Sequence, residues 1–213
     1  MISTANLTAL PDILTLQSIC RSVAVLDAIM EPDWQYRYFS YQSKFAEHIE
    51  LFQMQNGSGD DMHIIFSNTG TVIKGFDHES SISPHAQTPP EVYPGILDSM
   101  PPDLAAHRAE PAFKFEDTTF CVWRLTTDST WQVGEITTTP VVDGSDGLMW
   151  ILDGDPKTYA RWAEDYYEQK IDLAIVQWIY GRQPVTNAMV KALNPANSHG
   201  QLADELAGIK YER

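Results

Sequence analysis

Asp60 and Asp61 stand just before a short hydrophobic run, and Asp77, His78 and Glu79 stand just after a second one. The first run is Met62 to Phe66 and the second Thr71 to Phe76, with Asn68-Thr69-Gly70 between them. Two apolar runs across a glycine-containing turn predict a β-hairpin. Closing it brings the two charged ends together. If Phe66 pairs with Thr71, Asp60 lies opposite Asp77; with one more residue in the turn, Asp60 lies opposite His78 and Asp61 opposite Asp77. Opposed residues have Cβ atoms roughly 4.5 to 5.5 Å apart. Either register therefore gathers four carboxylates, an imidazole and the hydroxyls of Ser80 and Ser81 at one open end.

Carboxylates with one or two imidazoles suit Mg²⁺, Mn²⁺ or Zn²⁺, and a metal held by Asp60, Asp61, His63, Asp77, His78 and Glu79 would activate water for hydrolysis. A divalent metal is the cofactor this pattern would take. Acids and hydroxyls also populate strand ends simply because these are solvated, so the pattern alone does not require an ion. Lys74, a lone base among these acids, would orient an anion or pair with Asp61 or Asp77. Arg124 follows Trp123 in a strand pattern, where a guanidinium can stack and present its fork to a carboxylate. Lys74, His78, Glu79 and Arg124 are thus the candidate binding residues.

Other chemistries are excluded by what the chain lacks. There is no GxxxxGK[ST], no GxGxxG after a strand, no HExxH and no GxSxG. The glycines of Asn56-Gly57-Ser58-Gly59 open a strand rather than a helix, so no helix dipole is there to hold a phosphate. Asp143-Gly144-Ser145-Asp146-Gly147 lacks the alternating ligand spacing of an EF-hand loop. Cys20 and Cys121 have no CxxC neighbour and read as small buried side chains, which fits a reducing compartment.

The elements that must position the hairpin follow from periodicity. Asp12 precedes a helix whose apolar positions Ile13, Leu16, Cys20, Val23, Leu26 and Met30 recur every three or four residues. Residues 1 to 10 read as a loose arm ahead of it. Trp34 to Tyr41 alternates as a strand, and Ile49 to Gln55 is another, with a phase slip between Leu51 and Phe52 that a bulge would explain. Six prolines between Ser81 and Glu110 leave room only for a short helix from about Pro102 to Ala109, so 81–110 is a proline-rich excursion beside the acidic end. Thr118 to Leu125 and Trp131 to Ile136 form a second hairpin. Val141 to Asp155 is turn-rich around a short helix over Leu148 to Leu152, capped by Asp146. A long helix spans Pro156 to Tyr180, with Asp155 as N-cap and an aromatic stripe through Tyr159, Trp162, Tyr166 and Trp178 that reads as core. Shorter helices follow near Val185 to Leu193 and Gln201 to Leu206; with Lys191 the only base in the second half of that pair before Lys210, they do not read DNA.

Together these predict an α+β fold: a single domain over 1–213, an antiparallel sheet of about five or six strands, and N- and C-terminal helices packed on it. Against 14 Lys and Arg the chain carries 29 Asp and Glu, a formal net charge of −15. Such a surface repels phosphate backbones and anionic lipid, so neither a nucleic acid nor a membrane is the expected partner. The first basic residue is Arg21 and no apolar run approaches about 18 residues, so the expected location is cytoplasmic.

Several stretches are distinctive: NGSGD at Asn56 to Asp60, IKGFDHES at Ile73 to Ser80, EPAF at Glu110 to Phe113, TFCVWR at Thr119 to Arg124, WQVG at Trp131 to Gly134, DGS at Asp143 to Ser145 and DYYE at Asp165 to Glu168. From about Trp34 onward the chain resembles a group of bacterial proteins with no assigned activity. The resemblance implies a whole protein of bacterial type and carries no catalytic residue across. The charge balance favours a non-catalytic acidic binding protein that neutralises or regulates a basic protein partner. The alternative is a metal-dependent hydrolase working at the open end of the 60–79 hairpin.

Overall fold

The computed structural model of the chain describes residues 1–136 and 142–211. Its centre is a six-stranded antiparallel meander in which every strand pairs with its neighbours in sequence: β1 Phe39–Ala46, β2 Ile49–Gln55, β3 Asp61–Phe66, β4 Gly70–Phe76, β5 Phe120–Leu125 and β6 Gln132–Val133. The helices are α1 Ile13–Met30, α2 Pro102–Ala105, α3 Ser145–Leu148, α4 Pro156–Tyr166, α5 Leu173–Tyr180, α6 Asn187–Leu193 and α7 His199–Ile209. The α+β single domain expected from the hydrophobic patterning is the fold observed.

Both faces of the sheet are covered. On one, Phe39, Phe52, Met54, Met62, Ile64, Ile73 and Val122 pack against α1, α4 and α5. On the other, Leu51, Ile65, Val72, Cys121 and Trp123 meet Ile82, Ile96, Met100 and Leu104 from the proline-rich excursion and Phe113 and Phe115 just after it. That excursion is therefore a lid over a whole sheet face, built of apolar side chains carried on irregular backbone. Two covered faces also account for the adjacent apolar pair Leu51 and Phe52. They enter opposite cores, and the β2–β3 ladder runs through them without a break. The irregularity lies instead in β1, between Gln42 and Ala46.

Several expected boundaries move. Trp34–Tyr36 forms a 3-10 turn rather than a strand, because the Asp33 side chain caps it at the Gln35 N–H; the strand begins at Phe39. The predicted helix over 156–180 is two helices. Glu168 takes a left-handed φ of 50°, and the Asp172 side chain accepts from the Ala174 N–H to start α5. Gly144, not Asp146, is the N-cap of α3, and Met149–Asp153 continues it as a 3-10 helix. The first ten residues are no loose arm. Ile2 and Leu10 are buried, while Thr4 donates through its N–H to Ser145 Oγ (3.0 Å) and through its hydroxyl to Asp143 Oδ2 (2.5 Å). Val141 lies outside the described residues.

α1 is, among the described residues, the one helix long and apolar enough to cross a membrane, with a mean hydropathy of 1.5 over 18 residues. In the fold it is a core helix, 67% buried against β1, α5 and α7. One glycine explains how the sheet closes around the hairpin. Gly75 lies opposite Phe120, and a Cβ there would sit 2.1 Å from the Phe120 ring, so only glycine lets that ring lie across β4.

Candidate functional site

The hairpin adopts the first of the two expected registers, with Phe66 opposite Thr71 and His63 opposite Lys74. Side chains alternate between faces along a strand, and this separates residues that the ladder brings close. Asp61, His63 and Lys74 point to the lid face. Asp60, Asp77 and His78 sit at the strand ends on the solvent side. The sequence-level site is thus two sites.

The lid-face cluster is buried. Lys74 is 0% exposed and its Nζ lies 2.9 Å from Asp61 Oδ1. His63, also buried, places Nδ1 3.4 Å from the same oxygen, outside hydrogen-bond geometry. Its Nε2 is 3.1 Å from the Gln53 amide nitrogen, whose own oxygen accepts from Gln42 Nε2 at 3.3 Å. That amide nitrogen can donate to Nε2, and Nδ1 faces Asp61. Burial raises the Asp61 carboxyl, but the His63 contact and the Lys74 charge outweigh it and hold it down to about 2. Burial pulls the Lys74 ammonium below its ordinary range, and Asp61 opposes that pull. This is the pairing with Asp61 foreseen as one role for Lys74.

The solvent-side cluster has another character. Asp60 Oδ1 accepts from the His78 backbone N–H (2.9 Å) and lies 2.6 Å from His78 Nδ1, and Oδ2 accepts from Asn56 Nδ2 (2.6 Å). Partial burial raises the Asp60 carboxyl, and the bonds from His78 and Asn56 bring it below its ordinary value. The same bond raises the His78 imidazole. Asp77 Oδ1 accepts from the exposed Glu79 N–H (2.9 Å), and Gly144 packs against Asp77 so tightly that a Cβ would fall 2.3 Å from its side chain. Asp60, Asp77 and His78 each offer one ligand atom within 4.8 Å of the others. Asp61 and His63 do not join them, and no ligand atom of Glu79 belongs to that set. Arg124 is remote: its Nε donates to the Asp128 carbonyl (3.1 Å) and its guanidinium lies 5.9 Å from the Trp131 ring centroid, so the stacking partner is Trp131 and not Trp123.

No protein-family model, curated protein or solved structure matches this chain.

Near the Asp60 cluster, Trp162 and Tyr166, which helical spacing predicts as core, meet Tyr38. Tyr38, Trp162 and Tyr166 form a ring cluster with centroids 4.9, 5.0 and 5.4 Å apart, and Trp162 and Tyr166 are stacked. Tyr159 below them is fully buried, but Tyr166 is 47% exposed, and Trp34 and Tyr36, in the turn just before Tyr38, are 56% and 66% exposed. Burial pushes the Tyr38 hydroxyl up to about 12, with Tyr166 and the charges of Asp60 and Asp27 adding to it; Glu31 and Asp27 similarly raise Tyr166 after burial. The signal available in the sequence was the run Asp165-Tyr166-Tyr167-Glu168, aromatics interleaved with acids, which an all-core stripe does not carry.

Proposed function

We propose that this protein is a non-catalytic binding protein whose acid-rimmed aromatic surface takes a lysine- and arginine-rich segment of a basic protein. The observation that carries the reading is the ring cluster of Tyr38, Trp162 and Tyr166, exposed at Tyr166 and acted on by the charges of Glu31 and Asp60. Aromatic faces attract ammonium and guanidinium groups, more so when a negative potential surrounds them. Tyrosine and tryptophan also give contact area at little entropic cost and concentrate binding energy in interfaces. The −15 net charge steers a cationic partner from a distance, and the rings hold it on arrival.

The test is titration with a Lys/Arg-rich peptide and with an equally charged peptide of opposite sign, followed by tryptophan fluorescence. Binding is expected for the basic peptide alone, weakening as salt rises. A Trp34→Ala, Tyr166→Ala double variant should bind about tenfold or more weakly, the loss of ~1.4 kcal/mol expected for one or two cation–π contacts, while Tyr166→Phe keeps its affinity. Equal binding by wild type and double variant would leave bulk charge as the whole effect and overturn the surface.

The juxtaposition of Asp60, Asp77 and His78 supports a second reading, a divalent-cation site serving hydrolysis. An ion there has to displace the proton on His78 and the Asn56 amide. A thermal scan with Mg²⁺, Mn²⁺, Ca²⁺, Zn²⁺ and EDTA decides it: an ion-specific rise lost in Asp60→Ala, Asp77→Ala supports the site, and a rise matched by NaCl removes it.

A further inference from the structure

The other end of the same hairpin carries the opposite electrostatic character. Between the irregular end of β1, the β1–β2 turn, the β3–β4 turn and Lys210 at the end of α7 lies a cavity of about 480 Å³, within the size range of small-molecule sites. It is roughly 17 Å along β3 from the Asp60 end, taking ~3.3 Å per residue. Lys44, His48 and Lys210 line it, and Arg21 stands behind Glu50 in its wall. This concentrates three of the chain's 14 Lys and Arg around one opening in a molecule of net charge −15.

Two acids, Glu47 and Glu50, stand against those three cations, and neither pairs with Lys44. Glu50 is already engaged: Oε2 accepts from Arg21 Nη2 and from the Tyr41 hydroxyl, each at 2.5 Å, and Oε1 lies 3.4 Å from Lys210 Nζ. Burial raises the Glu50 carboxyl, and those donors more than offset it, leaving it below its ordinary value and so ionised and satisfied. Glu47 is 91% exposed and turned toward His48 at 3.6 Å. Donors, by contrast, remain unengaged. Lys44 forms no ion pair among the described residues. Ser43, which lines the cavity and is 4% exposed, has a hydroxyl without a hydrogen-bond partner, and Arg21 Nε is buried and likewise without one. Buried polar atoms in folded proteins are nearly always paired, so the unpartnered Ser43 hydroxyl in the cavity wall marks a place where a partner is missing. The donor set is cationic and hydroxylic, the chemistry that recognises an oxyanion.

We infer that this cavity binds a small molecule through a phosphate or carboxylate group, with Lys44 as the principal charge and Ser43, His48 and Lys210 around it. The site is independent of the aromatic surface and stands or falls separately from it. The experiment is an amide NMR titration of the whole protein with inorganic phosphate and, in a second arm, citrate, at ionic strength held constant with NaCl. Saturable shifts are expected at Ser43, Lys44, His48 and Asn68, with a Kd of about 1 mM or tighter. Lys44→Glu should weaken binding about tenfold or more and Lys44→Arg should preserve it; Lys44 is exposed, so both variants keep the fold. A response to phosphate alone or to citrate alone sustains the site and assigns the anionic group. Shifts that track NaCl, fail to saturate, or survive Lys44→Glu overturn it.

Discussion

Asp60 and Asp61 are neighbours in the chain, and each bonds a basic side chain, yet one meets an exposed partner at the open end of the hairpin and the other a buried one beneath the lid. Asp61 meets Lys74 where both are almost wholly excluded from water; Asp60 meets His78, whose side chain is 45% exposed. Charge type and distance are similar, so what differs is the medium. Exposed ion pairs contribute roughly 0–1 kcal/mol because water and salt screen them and the side chains lose entropy. In the buried pair each partner has given up its hydration and depends on the other to replace it. The comparison teaches that in this hairpin proximity makes the contacts, while the face of the sheet decides their weight.

The largest effect follows from breaking the buried pair. Asp61→Asn leaves the Lys74 ammonium, the more deeply buried charge, without a counterion, and should destabilise the fold by about 3–5 kcal/mol, the range for a stranded buried charge. For a chain of this length that is on the order of 10 °C in Tm. Lys74→Met should cost less, because Asp61 reaches water at its edge and keeps His63 beside it. The double variant should recover most of the loss, since removing both charges removes both desolvation penalties. Urea melts of the four proteins check the order; equal losses in singles and double would show that the pair carries no coupling. Because Asp61 is held down to about 2, its contribution is present above the ordinary aspartate value near 3.8 and is lost only as pH falls through about 2.

A third carboxylate sharpens the contrast, because it is buried without a cation in contact. Asp27, 0% exposed on α1, accepts from the Phe39 N–H (2.9 Å) and from the Tyr167 hydroxyl (2.8 Å), and burial pushes it up to about 6 against those bonds. A folded-state value above the unfolded one gives stability that is complete below about 4 and lost as pH rises through about 6. Two units correspond to on the order of 3 kcal/mol. The protein should therefore be more stable at pH 5 than at pH 7.5. Asp27→Asn, which resembles the protonated form, should flatten that slope, and denaturation at the two pH values measures it. A slope unchanged in Asp27→Asn would assign the dependence to the net charge instead.

How much of this was legible varies with the range of the interaction. The hairpin could be read, and its register narrowed to two, because Asn68-Thr69-Gly70 and the flanking runs are local signals. The separation of Asp60 from Asp61 was implicit in the same alternation, which places Asp61, His63 and Ile65 on one face; counting residues at one open end gathered them instead. That the second face is covered was not legible, because Ile82, Ile96, Met100 and Leu104 are scattered among prolines with no period to mark them. The break in the helix over 156–180 left a trace in Asp172, a capping residue inside the apolar stripe, but a stripe continuing to Trp178 hid it. Tyr166 and Trp178 joined that stripe by spacing, although nearly half of each is exposed. Spacing reports a shared helix face. It does not report whether another element covers that face.

The smallest effect belongs to the exposed pair, and it is best read on the proton rather than on the fold. The Asp60 bond raises the His78 imidazole above its ordinary value, while bonds from His78 and Asn56 lower Asp60. The imidazole's contribution is complete below the ordinary histidine value and lost as pH rises through the raised one; the carboxylate's is present above the ordinary aspartate value and lost as pH falls through the lowered one. The clasp between the Asn56–Asp60 loop and the end of β4 is therefore firmest between those two ordinary values, roughly pH 4 to 6.5. An NMR pH titration of the His78 ring should give a raised value in wild type that returns toward the ordinary one in Asp60→Asn, and that also falls in concentrated NaCl because the pair is open to screening. A His78 ring that titrates identically with and without the Asp60 carboxylate would mean that the 2.6 Å contact is not an ion pair in solution, and the contrast between the two faces of the hairpin would lose its exposed half.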